Sequence, residues 1–201
     1  MIALPKPGAD RRWEIPDHLL TIEEYAALGE TDTGFTELVE GRVLMSPSLV
    51  ADHNIAVFEL GQQLAPQVPS HLRVLPETDV NLGLAPPGKP GFSRRPDLLI
   101  VERAAIARVR QDSAMLRAED VAVVIEIVSP GSERTDYHVK HDEYADAGIP
   151  HYWIIDMSEP ISLVACHQAG EFGYMDAAAV TGTFATEVPF PVKLDLTALL
   201  G

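Results

Sequence analysis

The sequence has a single cysteine, no long hydrophobic run and no hydrophobic segment at its N-terminus. Cys166 alone excludes an internal disulfide bond and any zinc cluster built from several cysteines, and a lone thiol in an apolar setting is typically a core residue. The apolar runs are strand-sized, far below the roughly 18 residues of a membrane span, and residues 1–7 have no signal-peptide pattern. The sequence therefore predicts a cytoplasmic protein with no membrane partner and no thiol redox chemistry.

Basic residues are also scarce. The chain has 30 acidic and 15 basic residues, a formal charge of −15, which argues against a broad electrostatic grip on nucleic acid. A local contact is compatible with this charge, because basic side chains concentrate in one part of the chain. They are Arg94, Arg95, Arg103, Arg108, Arg110 and Arg117.

The length of 201 residues and the 46% hydrophobic content are typical of one globular domain with a real core. Residues 1–18 contain four prolines or glycines and no periodic pattern, so they are predicted to form an extended arm. The remaining residues, 19–201, are predicted to form a single domain.

Local patterns predict helices and strands along this domain. Thr21 and Glu24 have the spacing of a capping box, which predicts a short helix ending at Leu28. The other predicted elements are a hairpin over residues 35–45 turning at Glu40-Gly41, a helix from about Leu49 to Ala65, a strand over 74–84, a partly helical segment over 102–120, a helix from about Glu133 to Ala147, and strands over 151–156 and 161–166.

Two apolar runs, residues 94–101 and 121–128, have the pattern of strands that are buried on both faces. Each carries one carboxylate, Asp97 in the first and Glu126 in the second. A buried carboxylate is costly unless it is paired or bound to a cation. The two are therefore either structural partners, for example of an arginine, or ligands of one metal ion, and we adopt the second hypothesis.

The metal hypothesis makes geometric predictions. Neighbouring strands lie ~4.8 Å apart, and Glu126 and Val128 should project from the same face of the sheet. Asp97, Glu126 and the carbonyl of Ile127 would together hold one Mg²⁺, with room left for water and a phosphate oxygen. Lys140 lies on the predicted inward stripe of its helix, where it would support the attacking water or the phosphate. The alternative is a surface ion pair with Asp136, four residues earlier.

Other polar residues have competing interpretations. His53 is either a solvent-facing helix residue or a site residue, and Glu37 is either a site residue or one of two acids beside a turn. His138 and His141, followed by Asp142, suggest a zinc site, but no further ligand set is evident and a solvated helix face is favoured.

Pro96-Asp97, followed about thirty residues later by Glu126-Ile127-Val128, resembles the PD-(D/E)XK nuclease superfamily, with Val128 where a lysine usually stands. The wider series is similar to the bacterial restriction endonuclease-like family known as Uma, from about residue 20 to the C-terminus. The residues that carry this resemblance are Glu37 to Gly41, Ser46-Pro47-Ser48 with His53 following, Arg95 to Leu99, Glu126 to Pro130, Lys140 to Tyr144, and Ala147 to Asp156.

This resemblance implies an α/β restriction-endonuclease-like core, a mixed sheet flanked by helices. It implies a Mg²⁺-dependent endonuclease, with Mn²⁺ as a substitute, that hydrolyses DNA as a homodimer. Asp97 and Glu126 would be the metal ligands, Lys140 the lysine displaced to the next helix, and Glu37 an assisting acid, while Arg94, Arg95 and His53 are predicted to contact DNA. The alternatives are a non-catalytic interaction module with a nuclease fold and a hydrolase of small phosphate esters.

Overall fold

The computed structural model describes residues 15–29, 31, 34–45, 50–112, 114–129 and 131–200. Most of the predicted N-terminal arm and all of Ser46-Pro47-Ser48 therefore lie outside the described residues. The helices are α1 (Ile22–Leu28), α2 (Ala51–Leu64), α3 (Arg103–Asp112) and α4 (His141–Asp146). The strands are β1 (Thr36–Val39), β2 (Arg42–Met45), β3 (Leu72–Pro76), β4 (Val80–Asn81), β5 (Ser93–Arg94), β6 (Leu98–Glu102), β7 (Leu116–Arg117), β8 (Val121–Val128), β9 (His151–Asp156), β10 (Ser162–Gln168), β11 (Tyr174–Asp176), β12 (Val180–Thr181), β13 (Thr183–Thr186) and β14 (Val192–Asp195).

The main sheet has the strand order β11-β10-β9-β8-β6-β3, with β12 also pairing with β10. The pair β8 and β9 is parallel and the other pairs are antiparallel, so the sheet is mixed. A smaller sheet has the order β2-β1-β5-β4-β7, and β13 pairs with β14. Helices flank the main sheet, which confirms the predicted α/β class.

The two faces of the main sheet contribute to different hydrophobic clusters because side chains alternate along a strand. On β8, Val123, Ile125 and Ile127 pack in the cluster that includes α2 and the C-terminal strands. Val124 and Val128 pack in the cluster that includes residues of α3 and α4. Glu126 has the parity of this second set, as predicted, so a buried carboxylate points toward the helix that carries Lys140.

The local predictions were mostly confirmed. The Thr21 capping box is present, and the hairpin turns at Glu40 and Gly41, both with positive φ. The predicted strand over residues 74–84 is wrong, because the chain breaks at Glu77, which has a φ of 42°. The Glu77 N–H donates to the Asp97 carbonyl, and the chain passes from β3 in the main sheet to β4 in the smaller one.

The predicted helix over residues 133–147 is present, but its middle is wound differently. Thr135–Lys140 form a π-helix, and the chain continues as α4. Such π-helical segments often occur at functional sites, where they re-aim side chains within a helix. Lys140 is the last residue of the wide turn, and Tyr144, four residues later, is fully buried.

Gly41 allows a test of how the hairpin packs against Leu20 and Pro90. A Cβ at Gly41 would lie 2.7 Å from the Pro90 Cβ and 2.9 Å from the Leu20 carbonyl oxygen, whereas Gly88 has the same φ of 75° and open space. We expect Gly41→Ala to lower the free energy of unfolding by about 2 kcal/mol more than Gly88→Ala, because only Gly41 adds overpacking to the backbone strain. Urea denaturation of both variants measures the difference, and equal losses would contradict it.

Candidate active site

A cavity of about 340 Å³ opens where the inner strands β6 and β8 of the main sheet face the helix of residues 133–146. Glu126 lies at its base, and the side chains of β1, α2 and the π-helical turn converge on it. Its charged and titratable lining includes five carboxylates, two arginines, a lysine and a histidine, namely Glu37, Glu77, Asp97, Glu126, Asp136, Arg94, Arg95, Lys140 and His53. All the predicted site side chains therefore line one cavity.

Strand register brings Asp97 and Glu126 together. Leu98 at the start of β6 is the partner of Ile125 on β8, so Asp97 lies one step further on, beside Glu126 and Ile127. The Ile127 N–H donates to Asp97 Oδ2 over 2.7 Å, and His53 Nε2 lies 3.2 Å from the same oxygen. Among the described residues, the ion-pair partner of Asp97 is this histidine and not an arginine.

Lys140 lies among three carboxylates. Its Nζ is 2.8 Å from Glu126 Oε1, 3.4 Å from Asp136 Oδ1 and 3.9 Å from Glu37 Oε1. The Lys140 side chain is only 11% exposed. The pair with Asp136 is therefore present, but it is not a surface pair, because both side chains are buried in the cavity wall and the ammonium group is shared with other carboxylates.

Asp136, Ser132 and Tyr144 complete this arrangement, and the sequence analysis did not identify them as site residues. Ser132 Oγ donates to Asp136 Oδ2 over 2.5 Å, and the Tyr144 hydroxyl donates to Glu126 Oε1 over 2.7 Å. The signal was present in the spacing, because Asp136 and Tyr144 lie four residues before and after Lys140, on the same stripe.

Burial and mutual repulsion shift the pKa values of these acids. Burial raises the pKa of Glu126 to about 8, with smaller contributions from the charges of Asp97 and Asp136, although Lys140 acts in the opposite direction. Burial also raises the pKa of Asp136. Burial lowers the pKa of Lys140, but the negative charges of Glu126, Glu37 and Asp136 outweigh it and the net pKa is raised. Glu126 and Asp136 are therefore disfavoured as charged groups although Lys140 is beside them, and a second cation would favour their charged forms.

Glu37 is held by the backbone and side chain of the β5 segment. Arg94 Nη1 donates to Glu37 Oε2 over 2.7 Å, and the Arg95 N–H donates to Glu37 Oε1 over 3.1 Å. Arg94 also makes a bidentate pair with Glu143, at 2.6 and 2.9 Å. Burial raises the pKa of Glu37, but Lys140 and Arg94 outweigh it and the net pKa is lowered, so Glu37 is a carboxylate at neutral pH.

The arginines around Asp97 do not form an open basic patch. Arg94 is buried between Glu37 and Glu143, and Arg95 makes a bidentate pair with Asp79 while lying 4.7 Å over the Phe35 ring. Two further arginines of this segment are also paired with acids, Arg108 with Asp120 and Arg117 with Glu119. The predicted local concentration of basic charge is therefore largely neutralised by neighbouring acids.

His53 is 5% exposed, so the alternative of a solvent-facing helix residue is wrong. Burial lowers the pKa of the imidazole, but the hydrogen bond and charge of Asp97 outweigh it and the net pKa is raised. Its Nδ1 has no hydrogen-bond partner within the described part of the chain. His53 thus fixes one oxygen of Asp97 through Nε2.

The donor set suits a hard divalent cation. Asp97, Glu126 and the Ile127 carbonyl present oxygen atoms, which Mg²⁺ and Mn²⁺ prefer, and Glu37 and Asp136 add negative charge nearby. The charge of Asp97 helps to raise the pKa of Glu126, and a cation beside Glu126 would favour its charged form. The residues present therefore fit a metal of this class.

Comparisons with known proteins agree with the fold and with the family resemblance. The model of the Uma2 family, described as "Putative restriction endonuclease", matches residues 22–197. The chain is also similar to a solved structure from Anabaena variabilis ATCC 29413, described as a "putative nuclease belonging to DUF820". That likeness has 20% identity and a TM-score of 0.66, and covers 90% of this chain and 97% of the other. No match was found among curated proteins.

None of the helices in the described residues combines the length and the hydrophobicity that crossing a bilayer requires.

Proposed function

The chain belongs to the Uma2 family, and from this premise we propose that it is a divalent-metal-dependent endonuclease that hydrolyses DNA phosphodiester bonds. Family membership and the shared fold support a nuclease. The proposal of metal-dependent hydrolysis rests on one observation: Asp97, Glu126 and Lys140 converge in one cavity, with Lys140 Nζ 2.8 Å from Glu126 Oε1.

In this proposal Asp97, Glu126 and the Ile127 carbonyl hold Mg²⁺ or Mn²⁺. The metal when bound lowers the pKa of a water molecule and offsets charge on the phosphate. The arginines near Asp97 are paired with acids, so they offer the phosphate little free positive charge. This pairing supports metal dependence, because a chain with a charge of −15 needs a cation at the point where the phosphate approaches.

The surrounding residues position this set. We assign Lys140 to orienting the attacking water or stabilising a phosphate oxygen, which its ammonium group can do from the helix in place of the strand residue Val128. Glu37 would assist by holding Lys140 and Arg94, and Arg94 would act through Glu37 rather than at the phosphate. Arg95 and His53 remain predicted DNA contacts, with His53 also orienting Asp97.

DNA as the substrate and a homodimer as the working form are part of the same proposal. A symmetric pair of sites would allow both strands to be cut. Sedimentation of the protein with and without a short duplex tests the assembly.

Plasmid cleavage tests the function. We expect nicked and linear products with 5 to 10 mM Mg²⁺ or Mn²⁺, on the order of the millimolar affinity that carboxylate-and-water sites show, and none after EDTA treatment. Restoring excess Mg²⁺ should restore cleavage. Cleavage that persists in EDTA would contradict metal dependence, while turnover of small phosphate esters without DNA cleavage would favour the ester hydrolase. Absence of both, with no Mg²⁺ binding in calorimetry, would favour the non-catalytic module.

A further inference from the structure

A second cluster of metal-binding side chains lies outside the cavity. It consists of His141, Cys166 and Asp176, whose ligand atoms all lie within 4.8 Å of one another. These residues come from α4, β10 and β11, so they are distant in sequence and come together only in the folded domain. None of them lines the cavity of Asp97 and Glu126.

Strand register places two members of the cluster side by side. Cys166 on β10 is the direct partner of Asp176 on β11 and, on its other side, of Tyr152 on β9. Directly opposed residues of an antiparallel pair project from the same face of the sheet. The thiol and the carboxylate therefore point together toward α4, whose first residue is His141.

Each nitrogen of the His141 imidazole lies beside a carboxylate oxygen, and these contacts fix the orientation of the ring. Nδ1 lies 3.3 Å from Asp142 Oδ1, and Nε2 lies 2.9 Å from Asp176 Oδ1. A carboxylate on one nitrogen that leaves the other directed at the ligand position is the usual arrangement around a metal-binding histidine. The rings of Tyr174 and Tyr152 lie 5.3 and 6.3 Å from the imidazole and limit its movement.

The chemistry of the donors selects the ion. One nitrogen, one sulfur and one oxygen ligand suit Zn²⁺ and related transition metals, whereas Mg²⁺ and Ca²⁺ prefer oxygen ligands alone. In a tetrahedral zinc site the ligand atoms lie ~3.3 to 3.8 Å apart, given bonds of ~2.0 to 2.3 Å. The ligand atoms of the cluster lie within 4.8 Å of one another, so side-chain movement of about 1 Å would bring them to this spacing.

We infer that His141, Cys166 and Asp176 form a binding site for a zinc-class divalent ion, with water as the fourth ligand. The thiol gives its proton to solvent as the metal–sulfur bond forms. Because His141 directly follows Lys140, the ion would tie the helix that carries Lys140 to the edge strands β10 and β11.

Of the two histidines that the sequence suggested as zinc ligands, only one is in the cluster. His141 belongs to the cluster and is largely buried, whereas His138 is exposed and lies outside it. Cys166 and Asp176 supply the ligands that the sequence did not reveal.

A Co²⁺ titration of the purified, reduced, metal-stripped protein tests the inference. Cobalt bound to a thiolate gives a charge-transfer absorption in the near ultraviolet, whereas cobalt bound only to oxygen ligands does not. We expect this band to saturate at one equivalent and to disappear when one equivalent of Zn²⁺ displaces the cobalt. We expect it to be lost in Cys166→Ser and the apparent Co²⁺ affinity to fall at least about tenfold in Asp176→Asn.

Two controls separate this site from the cavity. His167 neighbours Cys166 but is exposed, so His167→Ala should leave the band unchanged. Asp97→Asn should also leave it unchanged, because Asp97 belongs to the other site. As a second measurement, one equivalent of Zn²⁺ should raise the Tm of wild type and of Asp97→Asn, but not of Cys166→Ser.

The absence of a thiolate band in wild type with a large excess of Co²⁺ would overturn the inference and leave a hydrogen-bonded cluster. A band of equal strength in Asp176→Asn would also overturn it, because the carboxylate would then not be a ligand. Asp176 is about half exposed, so this variant is expected to fold.

Discussion

Replacing Asp97 with asparagine is expected to lower the rate of metal-dependent DNA cleavage by about 10³-fold, because a catalytic metal ion supplies several kcal/mol of transition-state stabilisation and each ~1.4 kcal/mol is a factor of ten. Asparagine has nearly the same shape and can still accept the hydrogen bond from the Ile127 N–H, so the fold should be retained. What it loses is the negative charge. Rates of plasmid nicking over a range of Mg²⁺ concentrations measure the change.

Glu102→Gln is the matched control. Glu102 ends β6, the strand that Asp97 precedes, and its side chain is exposed. This substitution therefore removes one acid from the same strand at a distance from the cavity. The Glu102→Gln protein should cleave DNA at the wild-type rate. Equal cleavage by Asp97→Asn and wild type would show that Asp97 holds no essential metal, or that the nicking came from a contaminating enzyme.

Replacing Lys140 with methionine is expected to lower the free energy of unfolding by about 3 to 5 kcal/mol at pH 8, the usual cost of leaving a buried charge uncompensated. Methionine keeps the length of the side chain but removes the ammonium group shared by Glu126, Asp136 and Glu37. Urea denaturation measures the loss. Lys89→Met, in an exposed loop, should change stability by no more than about 0.5 kcal/mol.

The loss should depend on pH in a specific direction. Burial already raises the pKa of Glu126 to about 8, and without Lys140 the pKa rises further. Lys140 also acts to lower the pKa values of Glu37 and Asp136, so the folded variant holds more protons on these acids than folded wild type does, and the loss of stability relative to wild type grows as the pH rises from 5 to 8. We therefore expect the variant to be closer to wild type at pH 5. A loss of equal size at both pH values would mean that lost packing, not charge, explains it.

Divalent metal should restore part of the stability of Lys140→Met, because a cation held by Asp97 and Glu126 compensates the same acids. Unfolding in Mg²⁺ and in EDTA measures this effect. No recovery in Mg²⁺ would indicate that the carboxylates do not share a cation, and would weaken the proposed metal site.

The polar clusters divide into those that short-range patterns reveal and those that they do not. The spacing of Lys140 and Tyr144 predicted that both lie on the inward stripe of one helix, but not that this stripe lies against Glu126. Glu77 broke a predicted strand through its backbone conformation, although its neighbours have strand character. The pairing of Arg94 with Glu37 and Glu143 was equally hidden, because these residues lie 57 and 49 positions away.

What the sequence by itself determined is local. Neighbouring residues determine the capping box at Thr21, the hairpin turn at Glu40-Gly41 and the burial of β6 and β8. They also determine that one acid lies in or beside each of these two strands. Only the tertiary structure decided that Lys140 meets three carboxylates, that the arginines are neutralised, and that His141 joins Cys166 and Asp176. The physical reason is that electrostatic and metal-binding contacts act across a few ångströms of space, whereas sequence patterns report only on residues within a few turns or strands of each other.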